Sequence, residues 1–161
     1  MDFLLRIEES SFCQWVREAD SLFAFPGILL LHTIGMGIVV GINTTFDLRI
    51  LGFAPSVRLQ AFKKFFPVMW IGFWINAITG TILLAVNATQ LTRNPDFYVK
   101  LAFITLAVIN VFVLKRQVFG LDETPPTTKA KVLAVTSMIF WLGAIVAGRM
   151  LAYVGRSSIV F

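Results

Sequence analysis

The sequence predicts an all-α integral membrane protein: a four-helix transmembrane bundle with an amino-terminal amphipathic interfacial helix. Three observations carry that prediction. Apolar residues fill 57% of the 161 positions and charged residues only 14%, against about 45–50% and roughly 25% in soluble domains. Sixteen Phe and four Trp accompany a mean hydropathy of +0.80. Four stretches are long and apolar enough to be read as spans. A soluble enzyme, a disordered chain and a disulfide-stapled secreted domain are excluded. So is an outer-membrane barrel, because no segment alternates in polarity over ten residues.

Residues 1–22 read as one amphipathic helix in the membrane interface. Leu4, Ile7, Ser11, Phe12, Trp15, Ala19, Leu22 and Phe23 recur at spacings of three or four, while Glu8, Glu9, Arg17, Glu18 and Asp20 fall elsewhere. A cleaved signal peptide fits poorly, since the apolar run starts late, is too long and lacks a small-x-small cleavage site.

Residues 23–161 form the bundle. A charge at the bilayer centre costs about 2.5–3.5 kcal/mol even on the lenient insertion scale, so charge-free runs locate the spans. Ser21 to Phe46 is a run of 26 residues and Phe65 to Thr92 a run of 28. Each exceeds the ~20 residues needed to cross about 30 Å of hydrocarbon. Leu101 to Leu114 has 14 and needs Lys100 within its first turn; Val132 to Gly148 has 17 and reaches Val154 by including Arg149. The spans are therefore expected at about 24–46, 67–89, 97–115 and 132–154.

The connections are short. Leu91 to Asp96 reads as a tight polar turn initiated by Asn94-Pro95. The third contains Asp122-Glu123-Thr124-Pro125-Pro126-Thr127-Thr128, too rigid and small to be a domain. Cytoplasmic loops hold the excess of Lys and Arg. Arg49, Arg58, Lys63 and Lys64 lie in the first loop; Lys115, Arg116, Lys129 and Lys131 belong to the third. Loops 47–66 and 116–131 are thus expected in the cytoplasm of a bacterial inner membrane, with both termini periplasmic. The net charge of +5 is then topological and suits anionic lipid headgroups, and nucleic acid is not an expected partner.

Among polar residues in the spans, His32 stands first. It is the only histidine and lies about 12 Å below the outer boundary at 1.5 Å per residue. An intramembrane ionisable group is a functional candidate, and neutral imidazole ligates metals and haem; an interhelical hydrogen bond is the plainer use. Gly35, Gly37 and Gly41 follow it, small enough for a neighbouring helix or a flat cofactor to approach. Lys100 and Arg149 lie about one turn inside the outer ends of the third and fourth spans. They suit the carboxylates of an anionic ligand such as haem propionates, or else snorkel to the phosphates. Asn43, Asn76, Asn87, Asn110, Thr79 and Thr81 read as interhelical hydrogen-bonding groups. Cys13 is single, which excludes an intrachain disulfide. The sequence has no Ser-His-Asp set and no Gly-rich phosphate loop, and no mid-membrane charge pair points to a transport pathway.

Leu31-His32-Thr33-Ile34-Gly35, then Gly41, then Asp47-Leu48-Arg49-Ile50-Leu51-Gly52, with Lys100-Leu101 and Gly148-Arg149, resemble a group of uncharacterised bacterial small membrane proteins over nearly the whole chain. More distantly the chain resembles the membrane protoporphyrinogen oxidases and the copper-resistance D-type membrane proteins, which place a His early in one span and a basic pair at its far end. The oxidases, haem b proteins, also carry a Lys-Leu on a later span. That resemblance implies His32 as a haem b ligand and Lys100 as its companion. The second histidines of many members are lacking, which rules out paired-histidine ligation within one protomer. The expectation is a b-haem protein in redox or electron transfer, with His32, Gly35, Lys100 and Arg149 at the cofactor. The alternative is a cofactor-free accessory subunit, packed against a larger membrane complex or another copy of itself.

Overall fold

The computed structural model describes residues 2–119 and 126–157. Among them run seven α-helices: α1 Asp2–Glu8, α2 Ser11–Glu18, α3 Phe25–Leu51, α4 Phe66–Val86, α5 Ala88–Arg93, α6 Pro95–Phe119 and α7 Thr128–Ser157. A 3₁₀ turn, Leu59–Phe65, leads directly into α4, and no strand occurs among the described residues. Four helical segments are long and apolar enough to cross a membrane: Phe25–Leu51, Leu59–Val86, Pro95–Phe119 and Thr128–Leu151. The chain is an integral membrane protein of the all-α class, as its composition predicts. Large apolar side chains stand outward along these helices, with Trp74 60% and Leu142 62% exposed, a surface suited to lipid. Exposed threonines return their hydroxyls to their own helix. Thr33 donates to the Leu29 carbonyl, Thr105 to Leu101 and Thr136 to Val132, each at 2.9 Å, so these three hydroxyls are bonded within their own helices.

The chain divides into two compact units, Met1–Val39 with Met69–Pro95, and Val40–Val68 with Asp96–Phe161. Each is described by itself.

In the first unit the amino-terminal segment is two short helices rather than one. Ser10 interrupts it and caps α2, its hydroxyl accepting from the Cys13 amide, and the break resets the helical register. Cys13 and Val16 consequently turn inward, packing with Ile28 and Val86 against Ile7, Ile82, Leu83 and Ala85. Phe3, Phe12, Trp15, Leu22 and Phe23 remain exposed. The Glu8 carboxylate accepts from the amide and hydroxyl of Thr89, both at 2.9 Å, tying α1 to the first turn of α5. That short helix takes the first half of the polar turn expected at Leu91–Asp96. Asn94 alone separates α5 from α6, and Pro95 takes the first helical position of α6, where its missing N–H costs nothing.

In the second unit α3 runs on past the charged residues expected to end it. Its stop is Gly52 at φ +110°, a backbone conformation that favours glycine. The Phe53 amide bonds the Leu48 carbonyl at 3.0 Å and the Gly52 amide the Arg49 carbonyl at 3.2 Å, the paired bonds of a glycine-closed helix end. Arg49 then straps the following loop by donating to the carbonyls of Pro55 and Val57. Four rings, of Phe46, Phe62, Phe66 and Phe119, pack together at centroid distances of 5.5–5.7 Å. Lys63 stands over Phe119 and Lys115 over Phe66, both at 5.2 Å. The buried side of α6 is Ala107, Asn110, Val111, Leu114 and Val118. That of α7 is Ala130, Ala134, Ser137, Trp141, Ala144 and Ala147. The small residues on α7 suit close helix packing in a membrane. Residues 120–125, with most of the Pro-Pro connection, lie outside the described residues.

Candidate functional site

His32 sits two turns into α3, and its ring is clasped by α4. Nδ1 lies 3.1 Å from the Asn76 carbonyl oxygen and 3.1 Å from the Thr79 hydroxyl oxygen. In return the Asn76 side-chain amide donates to the His32 carbonyl at 2.8 Å. Each residue therefore bonds the other's backbone, a reciprocal clasp across two helices. The partners also decide the tautomer. A carbonyl oxygen only accepts, and the Thr79 hydroxyl already donates to the Ile75 carbonyl at 2.6 Å, so Nδ1 must be the N–H. The lone pair of the neutral ring is then on Nε2.

Small residues let the two helices come this close. A Cβ on Gly35 would lie 2.8 Å from the Gly72 carbonyl oxygen and 2.9 Å from the Asn76 amide nitrogen. One on Gly72 would meet Ile38 at 2.7 Å, and one on Gly80 would lie 3.0 Å from His32 Cε1. Gly35 thus serves the contact with α4. Clearance on α3 for anything else is at Gly37 and Gly41, where an added Cβ meets nothing within 4 Å.

Of the other expected site residues, Lys100 and Arg149 belong to the second unit, whereas His32 and Gly35 belong to the first. The half-buried Lys100 stem runs beside Gly148, whose Cβ would lie 3.4 Å from Lys100 Cε and 3.6 Å from Nζ. Arg149 is exposed, with its guanidinium 5.4 Å from the centre of the Tyr153 ring, an arrangement suited to the lipid interface.

A second polar group was not expected. Asp47, assigned by its charge to a cytoplasmic loop, is inside α3 with no exposed surface. Asn43, one turn earlier, donates from Nδ2 to Asp47 Oδ2 and to the Ser137 hydroxyl, both at 2.7 Å. Asn43 and Ser137 are buried as well. The interhelical bonding expected of Asn43 and Asn76 is therefore present. Asn110 differs, because its buried Oδ1 has no partner; neither has Asp47 Oδ1 nor Trp141 Nε1.

The sequence does contain signals for both groups. Gly72, Asn76, Thr79 and Gly80 recur at intervals of four, three and one, a small and polar face on α4 that complements His32 and Gly35 on α3. Asn43 and Asp47 are four apart with no helix breaker before Gly52, so they share a face of an unbroken helix. No family profile, characterised protein or solved structure matches the chain.

Proposed function

We propose that this membrane protein binds b-type haem through His32 and works in electron transfer in a bacterial inner membrane. The observation that carries this reading is the 3.1 Å contact of His32 Nδ1 with the Asn76 carbonyl oxygen. A ring whose Nδ1–H is held by a backbone carbonyl offers a basic, oriented Nε2, as metal-ligating histidines commonly do. The donor set also favours a porphyrin over a bare ion. Among the described residues no three His, Cys, Asp or Glu side chains converge, whereas haem would bring its own four nitrogens and would need little more from the protein than His32.

When bound, haem supplies a one-electron couple. The chain's own residues do the rest. Asn76 fixes the ring's rotation, Thr79 adds a second acceptor at Nδ1, and Gly80 leaves room for the ring edge. The resemblance of His32 and Lys100-Leu101 to the membrane protoporphyrinogen oxidases points the same way. The basic connections that follow α3 and α6 are assigned to the cytoplasm and both termini to the periplasm.

A second reading is the cofactor-free accessory subunit, favoured by the open surface of α3 at Gly37 and Gly41, where a helix of a larger complex or another copy has room to pack. One experiment separates the two. A reduced-minus-oxidised spectrum of the protein, made with ample haem and purified in mild detergent, should show a b-type signal that His32→Ala abolishes. A flat spectrum rejects the haem reading, and the accessory role then predicts a stoichiometric partner after mild extraction.

A further inference from the structure

We propose that the second unit holds a binding site for a small monovalent cation, built from Asp47, Asn43, Ser137 and Asn110. It involves none of the residues assigned to haem.

The starting point is an uncompensated carboxylate. Asp47 has no exposed surface, and among the described residues nothing forms an ion pair with it. Arg49, the nearest basic residue in sequence, is turned to the Pro55 and Val57 carbonyls. Burying a charge without a partner is strongly unfavourable, above all inside a membrane.

Donors are also short. Both hydrogens of Asn43 Nδ2 are committed, to Asp47 Oδ2 and to Ser137 Oγ, and Asp47 Oδ1 has no partner. Asn110, 5% exposed, adds a second unpartnered oxygen. Its level follows from the packing of α6 on α7, where Phe103 abuts Gly143 and Lys100 abuts Gly148. Stepping from these contacts at about 1.5 Å per residue brings Asn110 to the height of Ser137, within about one turn. Ser137 is in turn bonded to Asn43.

The chemistry of these groups selects the ligand. Asp47, Asn110 and Ser137 offer oxygen alone, the donor type of hard cations. A single negative charge balances a single positive one, while a divalent ion asks for further carboxylates, and among the described residues no acidic cluster is present. Trp141, one turn from Ser137 on α7, carries a buried indole N–H without an acceptor, suited to the oxygen of a water held by the ion.

Thermal melting of the full chain in mild detergent tests this, in sodium chloride against choline chloride at equal ionic strength. Sodium at saturating concentration should raise the wild-type melting temperature by about 5 °C. Asp47→Asn keeps an acceptor for Asn43 but removes the charge, and it should melt alike in the two salts. Identical wild-type melting in both salts overturns the proposal. A sodium shift that persists in Asp47→Asn overturns it too. If that variant does not fold, equilibrium binding of radioactive sodium to the wild type decides: about one ion per chain is expected, and none refutes the site.

Discussion

The two units handle the same difficulty, polar side chains inside apolar helices, in opposite ways. In the first, the His32 and Asn76 side chains each bond the other's backbone, and Thr79 joins them. In the second, Asn43 serves two acceptors at once, while Asp47, Asn110 and Trp141 each keep one buried atom without a partner. Those three are all the unpartnered buried side-chain atoms among the described residues. A closed network fixes geometry, because the groups that orient the His32 ring already have their bonds. An open one is poised for a ligand, since whatever supplies the missing partner is bound strongly.

The largest effect expected concerns the small residues beneath the closed network. Gly35→Ala would drive a methyl into the α4 backbone and lower unfolding stability by about 3 kcal/mol, the upper range for overpacking. Gly41→Ala, on the open side of the same helix, should instead gain about 0.5 kcal/mol from helix propensity. Unfolding in a graded mixture of mild and denaturing detergent measures both; equal losses would mean that the close crossing at Gly35 does not matter.

Next comes the amide donor of the open network. Asn43→Ala strips Asp47 and Ser137 of their shared bond and should cost about 2 kcal/mol, as for a buried acceptor left bare. Asn76→Ala, in the closed network, should cost only about 1 kcal/mol, within the range for interhelical bonds in membranes. The order of these two losses tests the contrast, and it fails if Asn76 is the more costly. Gly52→Ala forces a side chain into φ +110° and should lose about 1 kcal/mol. Its effect should appear as faster amide exchange at Phe53, whose bond to Leu48 closes the helix.

Thr79→Val is expected to be the mildest, at about 0.5 kcal/mol, because the Asn76 carbonyl still holds Nδ1. Nitrogen NMR of the imidazole should report the same tautomer in the variant and the wild type. A switch of the proton to Nε2 would show that Thr79, and not the carbonyl, sets it.

Much of this fold is legible in the sequence. Charge-free runs locate all four spans, because no other segment of so short a chain is apolar for long enough. The ends were harder to read. A charged residue marks the expected edge of the first span, yet Asp47 and Arg49 are both helical, and the true stop is the glycine that accepts a left-handed backbone. Asp47 therefore escaped notice as a membrane residue, since its burial depends on Asn43 and on Ser137, 90 positions further on. His32 is conspicuous as the sole histidine, and Asn76 and Thr79 as polar groups in a span. Their partnership rests on the approach of α3 to α4 at Gly35 and Gly72, a contact between helices that no single periodicity encodes. The break at Ser10 is hidden for a simpler reason: an apolar pattern at spacings of three and four can be drawn across it, although the cap resets the register.

Gly80 has one more consequence. With no side chain of its own, it fixes the resting place of the imidazole edge without touching any of the hydrogen bonds that orient the ring. A single methyl there would nudge His32 by a few tenths of an ångström while Asn76 and Thr79 kept their hold. Gly80 is thus a mechanical adjustment screw for the histidine, separate from its chemistry, and a graded series of small residues at position 80 would tilt the ring stepwise without removing a polar atom.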